Sequence, residues 1–115
     1  MWRDWVATLE DVVEYGSKIA HYTQRMSLDE FRVNELVFDA VVRNLELLGG
    51  AAKRLPGELT ASMPEAEWSR TVAFGDVIAR RSVGLDPRIV WDLVQTKIPA
   101  LVGAASAALK RLKRQ

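Results

Sequence analysis

The sequence has no cysteine and a single histidine, His21. Without cysteine there can be no disulfide, no thiolate nucleophile and no zinc site built on sulfur, and the composition suits a reducing compartment. Near neutral pH, general acid–base chemistry usually falls to histidine, which leaves one candidate here. His21 has neither triad nor metal-ligand spacing around it, so it reads as a structural or surface residue. No Asp/Glu cluster stands out as a site for a hard cation, and neither metal nor cofactor is expected. Charge of one sign is also missing. Sixteen Lys+Arg against 15 Asp+Glu leave +1, so no global field argues for nucleic acid or a membrane. Long apolar runs are absent too. The longest, Ile98 to Leu109, is too short to span a bilayer and consists mostly of small residues. The opening "MWRDWVATLEDVVEYG" mixes acids into its apolar residues, unlike a signal peptide, so the expected location is cytoplasmic. There is no internal repeat and no low-complexity segment.

What is present is a globular balance: 115 residues, 49% hydrophobic and 27% charged, enough for one small domain over 1–115. Apolar residues recur at helical spacing rather than alternating. Trp2, Trp5, Val6, Leu9, Val12, Val13, Gly16 and Ile19 form one stripe of a first helix over about 2–23. "MSLDEF" announces a second helix, with Ser27 as N-cap, Glu30 completing a capping box, and Met26 and Phe31 as a hydrophobic staple. Gly49-Gly50 interrupt its stripe. Either the helix ends there, or a neighbouring helix packs close where side chains are missing; Pro56-Gly57 closes it. "EAEWSRTVAFGDVIARR" reads as a third long helix. A last helix starts with Asp86 as cap and Pro87 at its first position, and is kinked or broken at Pro99. The expected fold is all-α, an up-and-down bundle of four to five helices.

Three further features stand out. Lys110, Arg111, Lys113 and Arg114 make a basic end, read best as cations complementing a helix C-terminus rather than as a phosphate contact. "GAASAAL", Gly103 to Leu109, offers small residues for a close helix contact, expected inside the monomer. In the second helix Asp39, Arg43, Asn44 and Glu46 sit among apolar neighbours. Asp39 and Arg43 are spaced to pair along one face, and if they point inward they must be paired or serve a site.

The segments "DAVVRNLELLGGAAKRL" and "IVWDLVQTKIPAL", with the "SLDEF" cap, a tryptophan at the third helix and "GLD" before "IVWD", resemble the HepT-like branch of the HEPN superfamily. The resemblance covers nearly the whole chain. It implies a homodimeric bundle of four to five helices, encoded in many cases beside a small nucleotidyltransferase in a toxin–antitoxin pair. The toxin of such pairs is typically a metal-independent ribonuclease, and in some pairs the partner silences it by attaching AMP to a tyrosine. The signature is an Arg, four residues, a His, one residue and a Tyr, at the end of the third helix. Those positions here are Gly75, Arg80 and Ser82, and none matches.

Cleavage through a 2′-hydroxyl requires proton transfer and positive charge on the developing phosphorane. Arg80 stays protonated at working pH and transfers no proton, although it can clamp a phosphate. Gly75 supplies no side chain, and the Ser82 hydroxyl is less acidic than a phenol. The leading expectation is therefore a non-catalytic dimer that binds a nucleotidyltransferase. It would also offer Arg80, Arg81 and Arg43 to nucleotide or RNA phosphate, supported by Asp39, Asn44 and Glu46. The alternative is a ribonuclease with a rearranged site built from Asp39, Arg43, Glu46 and Arg80. The bland reading makes Arg80 and Arg81 solvated cations at a helix end.

Overall fold

The structure, a computed structural model, describes residues 2–80 and 84–114, with residues 2–4 as backbone only. Among the described residues every regular element is helical. They are α1 (Trp2–Thr23), α2 (Leu28–Val33), α3 (Glu35–Lys53), α4 (Gly57–Ala61), α5 (Trp68–Arg80), α6 (Pro87–Asp92) and α7 (Ile98–Lys113). The long helix α3 packs against both α1 and α5, and α1 packs also against α7, which makes the expected all-α bundle. None of these helices is long and apolar enough to cross a membrane, among the described residues.

The first helix follows its stripe: Leu9, Val12, Gly16 and Ile19 are buried, while Glu10, Glu14 and Lys18 are exposed. Trp2 of that stripe lies outside the described side chains. After α1 the chain turns through Arg25, whose φ of 63° is left-handed. The capping box then forms as the sequence predicts. The Ser27 N–H donates to the Glu30 carboxylate at 2.8 Å, and the Glu30 N–H donates to Ser27 Oγ at 3.1 Å.

The predicted second helix is in fact two. Asn34 breaks it with φ −98° and ψ 89°, and its side-chain oxygen accepts from the Val37 N–H at 3.0 Å. An asparagine side chain competes with the helix for backbone N–H groups, and here it caps α3 instead of continuing α2. The resulting corner is held by Phe31, fully buried, whose ring lies 5.6 Å from Phe38 and 5.1 Å from Trp91 of α6. Such aromatic pairs contribute about 0.5–1.5 kcal/mol each beyond area burial.

The third long helix starts at Trp68, later than predicted. Residues 64–66 make a 3₁₀ turn, and Glu67 sits at φ 49°. Lys97 donates to the Glu67 carboxylate at 2.7 Å. That hydrogen bond holds the Glu67 carboxyl below its usual range, partly opposed by desolvation and assisted by the charges of Lys97 and Arg70. At α6, Asp86 accepts from the Arg88 N–H at 2.9 Å, as expected of the cap before Pro87. That backbone N–H holds the Asp86 carboxyl low.

The expected kink at Pro99 takes the form of a π turn over Leu93–Lys97, in which the Ile98 N–H reaches back to the Leu93 carbonyl. Proline has no N–H for the Gln95 carbonyl, and its ring crowds that carbonyl; the wider turn accommodates both without ending the helix. In α7 the small residues Ala104, Ala105 and Ala108 are buried and Gly103 is exposed, so the small stripe packs the interior of the bundle.

Candidate functional site

The motif stretch begins on α5, which presents Gly75 and Arg80 to different surroundings. Gly75 is buried at the crossing of α5 over α3. A Cβ added there would stand 3.1 Å from Gly49 Cα, and one added at Gly49 would stand 3.0 Å from Gly75 Cα. Those separations are shorter than ordinary van der Waals contact between carbons, ~3.5–4.0 Å. The glycine pair therefore lets the two backbones touch. Of the two readings of Gly49-Gly50, close packing is the correct one, and α3 runs through both residues to Lys53. The sequence raised that possibility at Gly49 but gave no sign that Gly75 was its counterpart.

A Cβ at Gly49 would also face the Thr71 carbonyl, and one at Gly75 the Leu45 carbonyl, so α3 and α5 run antiparallel. Arg80 lies further along α5. It is exposed and closes α5 as the basic residue of its last turn. Among the described residues it makes no hydrogen bond and no ion pair. Ser82, the third motif position, and Arg81, the second candidate phosphate-binding arginine, lie outside the described residues.

The polar group on α3 divides. Arg43 pairs with Glu46 at 3.2 Å, not with Asp39, because the i,i+3 carboxylate is the one its guanidinium reaches. Asp39 is exposed. Asn44 is buried and donates to the Ala40 carbonyl at 2.9 Å, tying its side chain to its own helix. Neither Asp39 nor Glu46 is buried, so the dry pocket that a neutral-pH carboxylate base needs is not built around them. Among the described residues no group of three or more His, Asp and Glu could hold a metal ion.

The other candidates are occupied by structural work. His21 is exposed, with Nδ1 3.2 Å from Gln24 Nε2. In the basic end, Lys113 pairs with Glu10 of α1 at 3.2 Å, and Arg114 donates to the Lys110 carbonyl at 3.1 Å. Sequence reasoning missed the Lys53–Asp76 bridge at 3.4 Å, which joins α3 to α5 one residue beyond Gly75. No local spacing signals a pair so distant in the chain. It also missed Trp68 Nε1 and Thr71 Oγ1, buried polar atoms on α5 with no hydrogen-bond partner among the described residues.

Among the described residues, three large apolar side chains are more than half exposed. Val33, Leu36 and Ile89 are 75%, 81% and 58% exposed. The first two flank the Asn34 corner, and Ile89 lies on α6, which packs against α2.

Comparison with known proteins finds relatives of this sequence. Residues 12–108 match the family model described as "Ribonuclease HepT-like". A protein of Methanocaldococcus jannaschii named "Putative RNase MJ0127" is 32% identical over 97 residues, covering 84% of this chain and 80% of that protein. "Probable ribonuclease HepT" of Thermococcus cleftensis is 30% identical over 95 residues, covering 83% of this chain and 86% of that protein. A third, "Putative RNase TTE0752" of Caldanaerobacter subterraneus, is 25% identical over 105 residues, 91% of this chain and 94% of that protein. No solved structure matches the chain.

Proposed function

This chain belongs to the HepT-like ribonuclease family, and from that premise we propose that it is a member without the cleavage chemistry. On this reading residues 1–115 form one cytoplasmic domain that works as a homodimer and engages a nucleotidyltransferase of the kind found in toxin–antitoxin pairs. It holds a nucleotide or RNA phosphate through Arg80, with Arg81 and Arg43 beside it, and does not cut. The observation that carries the reading is Gly75. At the position where the family places an arginine, this chain has a buried glycine in backbone contact with Gly49. The histidine position is Arg80, which carries charge but transfers no proton. Dimerisation is supported by the exposed Val33, Leu36 and Ile89, apolar side chains left open to solvent on α2, α3 and α6.

The names of the relatives favour a second reading, a ribonuclease whose site is rearranged onto Asp39, Arg43, Glu46 and Arg80. The exposure of Asp39 and the commitment of Glu46 to Arg43 weigh against it. The deciding experiment is cleavage of labelled single-stranded and structured RNA in the presence of chelator. The purified chain is tested beside a variant carrying Gly75→Arg, Arg80→His and Ser82→Tyr, and circular dichroism checks that the variant folds. The expected outcome is an inert parent that retards RNA on a gel and loses that retardation on Arg80→Gln. Cleavage by the parent refutes the proposal. If cleavage then disappears in Asp39→Asn/Glu46→Gln, the rearranged site takes its place.

A further inference from the structure

A groove lies between the C-terminal half of α1 and the π turn that leads into α7. Its volume is about 380 Å³, and Ile19, Ala20, Val94, Ile98, Pro99 and Val102 are among the residues that line it. That size falls within the range of small-molecule sites, ~300–1,000 Å³, which are likewise mostly apolar with a few polar groups. None of the motif residues lines it.

Two features separate this groove from a packing defect. The first is its charge. Arg25 is the single charged residue among those lining it, and among the described residues Arg25 makes no ion pair. Its neighbours at the rim, Ser17, Gln24 and Gln95, are neutral and polar. The groove therefore offers one uncompensated cation beside an apolar trough. Arg25 is held there by a left-handed backbone, φ 63°, a conformation uncommon for residues other than glycine, asparagine and aspartate. The second is the wall opposite α1. Val94 and Gln95 come from the π turn, and Ile98 and Pro99 from the first turn of α7; single π turns within helices concentrate at functional sites.

We propose that this groove binds a small amphipathic carboxylate, with its apolar chain along Ile19, Val94, Ile98 and Val102 and its carboxylate on the Arg25 guanidinium. Guanidinium and carboxylate match in a two-pronged hydrogen-bonded pair, and the trough has no acidic group to oppose it. A cationic amphiphile of the same length meets the same walls but an unfavourable head group.

The test uses octanoate as the probe and octylammonium as its charge-reversed control, on the full chain, followed by amide chemical shifts in NMR and by calorimetry. Octanoate is expected to saturate and to shift amides within 16–26 and 94–102, with octylammonium binding at least ten-fold more weakly. Arg25→Gln should weaken octanoate by about ten-fold, the loss of one charge-assisted contact. Ala20→Trp fills the groove from an exposed position on α1, and should abolish binding while leaving the helical signal intact. Absence of saturable octanoate binding at millimolar concentration overturns the proposal. So does equal binding of the two amphiphiles, or unchanged binding in a folded Ala20→Trp chain. None of these outcomes depends on whether the chain binds or cuts RNA.

Discussion

The contact between Gly49 and Gly75 can be tested by adding one methyl group. In a helix interior, Gly→Ala is favourable by about 1 kcal/mol when the new Cβ meets open space. At Gly75 it meets Gly49 Cα at 3.1 Å, a backbone atom that cannot rotate away. The helices α3 and α5 must then separate by a few tenths of an ångström along a face that includes the Lys53–Asp76 bridge. Overpacking of this kind costs about 1–3 kcal/mol. The net expectation for Gly75→Ala is a loss of about 0–2 kcal/mol, centred near 1. That lowers Tm by roughly 4 °C in a chain of this length. Gly50→Ala is the internal control. It lies on the same helix as Gly49, but a Cβ there would meet only the end of the Arg54 side chain, at 4.0 Å. It should gain up to about 1 kcal/mol and raise Tm by a similar roughly 4 °C. Thermal and urea unfolding followed by circular dichroism, at one protein concentration because a dimer would make Tm concentration-dependent, measures both. If Gly75→Ala stabilises as much as Gly50→Ala, the close crossing is wrong, and the argument that the arginine position has become a packing position falls with it.

Two other measurements probe α5 and the residue just before it. Thr71→Val removes a buried hydroxyl that has no hydrogen-bond partner, and an unsatisfied buried group costs about 1–3 kcal/mol. The variant should be neutral or up to about 1 kcal/mol more stable in urea; a loss above 1 kcal/mol would mean the hydroxyl has an acceptor. The pair of Lys97 with Glu67 predicts a pH dependence whose sign is fixed. Glu67 has a lowered folded pKa, so its contribution is present above the ordinary glutamate pKa and is lost as pH falls through the folded value. The stability gap between the parent and Glu67→Gln should be open at pH 7 and close in acid, and a gap that widens in acid contradicts the pairing.

The sequence disclosed features whose cause is local. The capping box at Ser27 and Glu30 and the Asp86-Pro87 start of α6 depend on residues a turn apart, and both formed with the expected partners. The α1 stripe also held, because burial on one face follows helical spacing. What stayed hidden has a cause distant in the chain or a balance between near-equal local states. Asn34 sits inside an otherwise continuous apolar pattern, and only its choice of the Val37 N–H over helical continuation splits α2 from α3. Glu67 looks like an ordinary first-turn acid, yet Lys97, thirty residues on, pairs with it where the backbone is left-handed. Arg25 carried no signal at all, because its importance comes from a groove wall supplied by α7.

The motif stretch holds two positions with different physical demands on the same helix. Its first position, Gly75, faces inward and takes part in helix packing; Arg80 faces solvent at the end of the same helix. The two changes therefore have different physical consequences. Replacing Arg80 alters charge and proton-transfer capacity while leaving the core untouched, so its reversal to histidine should cost little stability. Reversal at Gly75 must also reopen a backbone contact. A variant carrying only Arg80→His is thus expected to fold as the parent does, whereas adding Gly75→Arg brings the same strain as the alanine with a longer chain to place. The order in which those substitutions lower Tm, Arg80→His least and Gly75→Arg most, separates a packing role for Gly75 from a purely electrostatic one, in which the two would rank alike.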